Sequence, residues 1–479
     1  MIRLADAPGL ARELGMFHEF LKVDLAHTAM LVERRILSRA DGRKILRVLR
    51  QIDSMGPSGF PVDPGKGSFL LQVEDYLFKK IGEEIGGRMH TGRSRLDQGP
   101  TARRLYKRRR LIDVLRRLTA LERTLIGLAA RHKATVMPGY TCLQHAQPWT
   151  FGHYLHSFVD RLSDDFDRLV AAFARVDLNP LGAAGLAGTS WPLDRRRTTA
   201  LLGFGGLVEN ARLAREAYYA ADAIAALSFA MADLNDLATD LHVWSSFEFR
   251  MVECADGYCG TSSVFPQKKN PIALEVVKAR AGAATTWLGS ALATFRAEGS
   301  GDVTNREVPQ IDSAFTATEG MLELMDGVMR TLTVHGTRMR ELSGANWATA
   351  SNLADAIVRR NELSYRQTHH AVGRLVRSAL AAGVGPDRVT GAMLDRAAEE
   401  TIGRKLGLDD AAVRAALEPE TFVRTRRTTG SVNPAETARM LKTSRTRLAS
   451  QERWIARMLK RQKGADAKLT AAIGRIMRG

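Results

Sequence analysis

Between residues 103 and 133 apolar side chains recur at Leu111, Leu115, Leu118 and Leu125, and a second row runs through Val114, Leu121 and Leu128. Spacings of three and four put each row on one face of an α-helix, and two adjacent rows demand more than one packing neighbour. Such a segment belongs in a bundle. Residues 210–244 carry the same pattern at Leu227, Met231, Leu234, Ala238 and Leu241, and Met321, Met325, Val328 and Leu332 repeat it. The methionines read as core, because a flexible thioether fills irregular helix interfaces; neither row calls for a cofactor.

Glycine-rich breaks separate these helices at 56–67, 179–188, 203–206 and 256–260. No alternating run bounded by hairpin turns and no fixed-period repeat intervenes, and only the basic tail 424–479 is compositionally biased. The expected fold class is therefore all-α: a long central helical bundle flanked by smaller N- and C-terminal helical domains. The 479 residues divide into an N-terminal domain 1–102, a bundle 103–346 and a C-terminal domain 347–479. Apolar rows left exposed would need other subunits to cover them.

Apolar residues are 45% and charged residues 25% of the chain, which excludes a disordered, collagen-like or disulfide-scaffolded protein. Three scattered cysteines, Cys142, Cys254 and Cys259, form no Cys-x-x-Cys pair and fit a reducing, cytoplasmic setting. The first 17 residues lack the apolar core of a signal peptide, and the most apolar run, 223–232, is half of the ~20 residues a membrane span needs. No membrane association is expected. The net charge of +18 favours anionic ligands, whether nucleic acid, membrane surface, or small carboxylates and phosphates. Arg103, Arg104, the basic run 107–110, Arg116 and Arg117 follow helical spacing and read as a solvated face or as cross-subunit pairs, and no nucleic-acid partner is expected. The pairs His369/His370 and His153/His156 lack a carboxylate or cysteine partner, so no metal site is expected.

Three segments could carry chemistry. Residues 260–275, GTSSVFPQKKNPIALE, suit a mobile loop that presents hydroxyls, a cation and an amide to one small anion; the plainer reading is a loop and a helix cap. Residues 87–98, GRMHTGRSRLDQ, cluster Arg93, Ser94 and Arg95 beside His90 and Thr91, and guanidinium forks match planar anions; a solvated basic turn is the alternative. Residues 137–148, MPGYTCLQHAQP, gather Thr141, Cys142, Gln144 and His145 between two prolines, a grouping that by itself is usually structural.

Together these segments resemble the fumarase/aspartase superfamily and, within it, the argininosuccinate lyase branch. TSSVFPQKKNPIALE is similar to the family's long loop motif, HTGRSRLDQ to its first substrate motif and MPGYTCLQHAQP to its second, with weaker likeness through 349–376 and 430–436. The resemblance implies a homotetramer whose active sites are each built from motif regions of different subunits. It also implies β-elimination of fumarate from an N-substituted aspartate, without metal or organic cofactor. Removing a proton beside a carboxylate creates a doubly charged aci-carboxylate, so cations and donors must sit where that charge develops. Ser262 matches the family's base, and Lys268 and Asn270 its charge-stabilising positions. Glu275, Thr141, Cys142 and His145 complete the implied catalytic set; Arg93, Ser94, Arg95, Gln144, Ser263, Asn305 and Arg306 are implied substrate contacts, with Asn270.

Departures from the family pattern accompany these matches. Cys142 stands where the family has a histidine paired with the loop-helix glutamate, here Glu275. A thiol is neutral at pH 7 and could donate a proton without acting as a cation. His145, three residues on, would share a helical face with Cys142 and could take over. Leu96 replaces an asparagine, Asp24 a serine and Thr304 a tyrosine; the later glutamine and lysine are absent or displaced to Gln310, and the stretch around 67–71 lacks the family's acidic and histidine residues. The loop chemistry is kept while the groups reading the leaving amine change, which favours a changed substrate over a catalytically silent structural or regulatory tetramer.

Overall fold

The computed structural model describes residues 7–295, 308 and 310–478. Its longest bundle helix near the N-terminal side, Arg95–Arg131, starts eight residues before the expected 103. The cause is a capping box: Ser94 Oγ accepts the N–H of Leu96 at 3.2 Å, and Asp97 Oδ1 accepts the N–H of Ser94 at 3.0 Å. Asp97 also accepts the N–H groups of Gly182 and Ala184 at 2.9 and 2.8 Å, which ties the helix start to the turn after the next helix. With a rise of ~1.5 Å per residue, the 37 residues span ~55 Å.

Phe151–Val176 returns antiparallel, so that Arg104 donates to the Arg175 carbonyl at 2.6 Å near one end and Phe151 lies beside His132 at the other. Tyr218–Trp244 runs back up, and its Trp244 packs edge-on against Tyr154 with ring centroids 4.6 Å apart. Ile272–Ala284 descends along it, and Ile311–Thr331 lies parallel to the first helix, where Arg110 Nε donates to Glu319 at 2.8 Å. Both leucine rows of the first helix are buried, as their spacing requires. The expected helix at 210–244 is shorter: Asn210 caps a 3-10 turn, Ala211–Arg215, and the regular helix begins at Tyr218.

Most of the basic tail forms a 45-residue helix, Pro434–Arg478. Leu441, Leu448 and Ile455, seven residues apart, enter the bundle core, and Leu469, Ala472, Ile473 and Ile476 enter the N-terminal cluster around Phe17, Phe20, Phe60 and Phe69. The basic positions 104, 107 and 108, read as solvated or cross-subunit, are buried within the chain. Arg108 donates to Asp177 at 3.1 Å and to the Gly203 carbonyl at 2.6 Å, and the Arg104 guanidinium stacks 3.8 Å from the Tyr219 ring centre. A third cluster, from Trp347 to Leu417, packs Ala350–Asn361, Tyr365–Ala381, Gly391–Ile402 and Asp410–Leu417. The all-α class holds: among the described residues the strands are five two-residue ladders. No described helix is long and apolar enough to cross a membrane.

One buried acid lies in the seam of three helices. Glu122 Oε1 accepts the Ser163 hydroxyl at 3.1 Å, Ser163 accepts Gln451 Nε2 at 2.9 Å, and Glu122 Oε2 has no partner among the described residues. Burial pushes this carboxyl from 4.5 up to about 7. A folded-state value above the unfolded one means that the contribution to stability is complete below pH 4.5 and is lost as pH rises through about 7. Glu122→Gln is therefore expected to raise the unfolding temperature at pH 8 by about 2 °C or more and to leave it unchanged at pH 4. Thermal scans at the two pH values check the sign.

Candidate active site

Gly260–Thr261 pairs antiparallel with Lys269–Asn270, closing the loop 262–268 at its base. Gly260 is required there, because a Cβ would lie 2.7 Å from Ile272 Cγ1. Ser262 Oγ accepts two backbone N–H groups, from Val264 at 3.2 Å and Phe265 at 2.9 Å. Donors aimed at a hydroxyl oxygen stabilise its deprotonated form, so the loop backbone itself favours the alkoxide. Ser263 and Lys268 are exposed and Asn270 is half-buried; Lys268 has no ion-pair partner among the described residues.

The neighbouring lysine behaves differently. Lys269 Nζ lies 2.7 Å from both Glu253 and Asp256. Its hydrogen bonds to Asp256 and Glu253 raise its pKa well above the usual lysine value, and both carboxyls are held below their ordinary range by it. His335 Nε2 stands 3.6 Å from the other oxygen of Glu253. Lys269 thus straps the loop base to the ladder formed by Val252–Glu253 with Thr333–Val334, leaving Lys268 as the lysine available to a ligand. Glu275 is exposed in the first turn of Ile272–Ala284, and His242 of the Tyr218–Trp244 helix stands beside it.

The second segment is a hairpin, which corrects its reading as a helical face. Tyr140 pairs with His145 and Thr141 with Gln144, and Cys142 and Leu143 turn the corner at φ 54° and 59°. Two positive-φ residues make the mirror-image turn that matches strand twist, normally the province of Asn and Gly. The pleat sends His145 to the Tyr140 side, where the rings meet edge-on at 5.2 Å, and burial pushes the Tyr140 phenol up to about 12. Thr141 and Gln144 form the neighbouring exposed pair, and the Cys142 thiol is exposed at the tip. His145 therefore does not share a face with Cys142, and the substitution expected of it has no geometric basis.

The first segment divides its two arginines. Arg93 is buried, donating to Asp24 Oδ1 at 2.5 Å, which also accepts Gln98 Nε2 at 2.6 Å. Burial raises the Asp24 carboxyl above its ordinary value against the pull of Arg93. Arg93 is thus held inside the chain and is not presented to a ligand, whereas Arg95 is exposed at the helix start beside the half-buried Ser94. Asn305, Arg306 and Thr304 lie outside the described residues; Gln310 Nε2 donates to Ser290 at 2.8 Å.

The helix directions separate these segments. Ser94 and Arg95 sit at the start of the ~55 Å helix, while the hairpin follows its end and packs through Tyr140 against Phe249, just before the loop. Among the described residues no hydrogen bond or ion pair joins one segment to another. Two positions escaped the sequence reading: His242, hidden in an apolar helix, and the strap formed by Lys269, whose signal was only the carboxylates at 253 and 256.

Comparison with known proteins bears on this arrangement. The family described as Lyase matches residues 17–285, and the family described as Argininosuccinate lyase C-terminal matches residues 347–424. Argininosuccinate lyase 1 of Shouchella clausii is 34% identical over 473 residues, covering 97% of this chain and 95% of its own. Argininosuccinate lyase of Methanothermobacter thermautotrophicus is 37% identical, covering 88% of this chain and 90% of its own. The crystal structure of EDDS lyase in complex with formate superposes with a TM-score of 0.90 at 30% identity, covering 100% of this chain and 95% of that one. The class II fumarase of Schistosoma mansoni shares the fold, with a TM-score of 0.66 at 17% identity over 86% of this chain and 94% of its own.

The two arginines are expected to differ in stability measurements. Arg93→Ala leaves Asp24 buried without its cation and should destabilise the protein by about 3–5 kcal/mol, whereas Arg95→Ala should change stability by less than about 0.5 kcal/mol. Denaturant unfolding of the two variants measures the contrast.

Proposed function

The chain belongs to the argininosuccinate lyase family and is a carbon–nitrogen lyase that eliminates fumarate from an N-substituted aspartate; from that premise we propose how its residues divide the work. Ser262 removes the proton from the carbon beside the carboxylate. The observation that carries this reading is the pair of backbone N–H groups on Ser262 Oγ, which lowers the cost of the alkoxide the step needs. Lys268 and Asn270 stabilise the aci-carboxylate as its charge grows, and Ser263 contacts the same end of the substrate. Thr141, Gln144, Ser94 and Arg95 hold the substrate carboxylates.

A single chain places Ser94 and Arg95 a helix length away from the loop, so the site we propose takes its segments from different copies of a homotetramer. Exposed apolar side chains on the bundle, Tyr218, Phe229 and Leu292, support that assembly. The compartment that suits three unpaired cysteines is a reducing cytoplasm.

The amine half is the part that has changed. Cys142 gives the hairpin tip a thiol in place of an imidazole, which suits an amine that departs with little protonation. The substrate is argininosuccinate or a related N-succinyl amine, in the direction of release or of amine addition.

Fumarate release from argininosuccinate and a panel of N-substituted aspartates tests the proposal. The expected result is faster release from another panel member than from argininosuccinate, with Ser262→Ala lowering kcat by about 10³. If Cys142→His alone raised argininosuccinate turnover more than tenfold, the altered tip would be decay rather than specialisation. Silence across the panel would contradict the assignment of Ser262.

A further inference from the structure

His242 and Glu275 face each other across the seam between the Tyr218–Trp244 and Ile272–Ala284 helices, with Nε2 of the imidazole 3.9 Å from Oε1 of the carboxylate. The other ring nitrogen, Nδ1, lies 3.4 Å from Nζ of Lys278, one turn further along the second helix. An ammonium group offers donors and no acceptor, so Nδ1 is the accepting nitrogen of this contact. The ring proton is then on Nε2, the nitrogen turned toward Glu275. At 3.9 Å the N–H is directed at the carboxylate from just beyond hydrogen-bonding distance.

Both groups lie where solvent and ligand can reach them: the imidazole is 31% and the carboxylate 51% exposed. Glu275 is five residues beyond Asn270, on the helix that the loop opens into. A carboxylate that receives one oriented N–H on its first oxygen keeps the second free for the reacting site.

We propose that His242, fixed as its Nε2–H tautomer by Lys278, is the positioning residue for Glu275 and supplies within one chain the imidazole–carboxylate pairing that Cys142 no longer provides. The inference rests on the Ser262-centred reading of the site. Its role is orientation, and it transfers no proton itself. The geometry also specifies a replacement: a glutamine amide can donate through Nε2 toward Glu275 and accept from Lys278 through Oε1, which leucine cannot.

The test measures kcat and KM on the N-substituted aspartate that the wild-type enzyme uses, with melting temperature and native size as folding controls. His242→Leu is expected to lower kcat about tenfold with KM changed less than about twofold, and His242→Gln to restore at least half of the lost rate constant. Adding His242→Leu to Glu275→Gln should cost nothing beyond Glu275→Gln alone, because the two act as one unit. If His242→Leu fails to fold, Lys278→Met takes its place, with a severalfold fall in kcat expected from release of the tautomer. Wild-type kcat in His242→Leu, or equal losses in His242→Leu and His242→Gln, while Ser262→Ala is inactive, would overturn the proposal and leave Ser262 standing. A wild-type enzyme silent on every N-substituted aspartate would overturn the Ser262 reading and this one with it.

Discussion

The antiparallel seam between Arg95–Arg131 and Phe151–Val176 fixes the positions of everything that matters for chemistry. Leu111, Leu115, Leu118, Leu121 and Leu125 of the first helix are fully buried, and each buried leucine contributes roughly 1.5–3 kcal/mol. A seam of that length sets the distance between the basic helix start at one end and the hairpin and loop at the other. Tyr218–Trp244 and Ile311–Thr331 run in the same sense as the first helix and bury their own rows in the same core. Core packing thus holds the helix start at Ser94 and Arg95 a helix length from the hairpin and the loop.

Charge in this protein is divided between structure and ligand. Of the two adjacent lysines on the loop, one is committed to Glu253 and Asp256 and the other is left exposed. Of the two arginines in the first segment, one neutralises buried Asp24 and the other faces out. In each pair one cation is an internal strut and the other stays exposed. Buried charge is tolerated where a partner and carbonyl oxygens meet it, as at Arg108 with Asp177 and Gly203.

The long helices were legible because a three-and-four spacing has one structural meaning, and the C-terminal helix carries the same signal at Leu441, Leu448 and Ile455, masked by its basic composition. The start at Ser94 was written as a Ser-x-x-Asp box but obscured by Gly99 and Pro100, which look like a break. The hairpin was not legible, since Cys142 and Leu143 occupy a turn whose usual residues are Asn and Gly, and tertiary contacts through Tyr140 and Phe249 hold it there. Burial of Arg93 could not be read from a motif that presents it as one of two equivalent cations; only the pairing with Asp24, 69 residues away, distinguishes them. His242 was invisible for a similar reason, because its partners come from the next helix.

If Ser262 acts in a site completed by the first segment of a different copy, two variants that are inactive alone should restore each other. Ser262→Ala and Arg95→Ala proteins, dissociated together and reassembled, would yield mixed assemblies in which some sites contain native segments throughout. Fumarate release is expected to reappear in the mixture and in neither variant reassembled alone. A mixture as inactive as its components would contradict it.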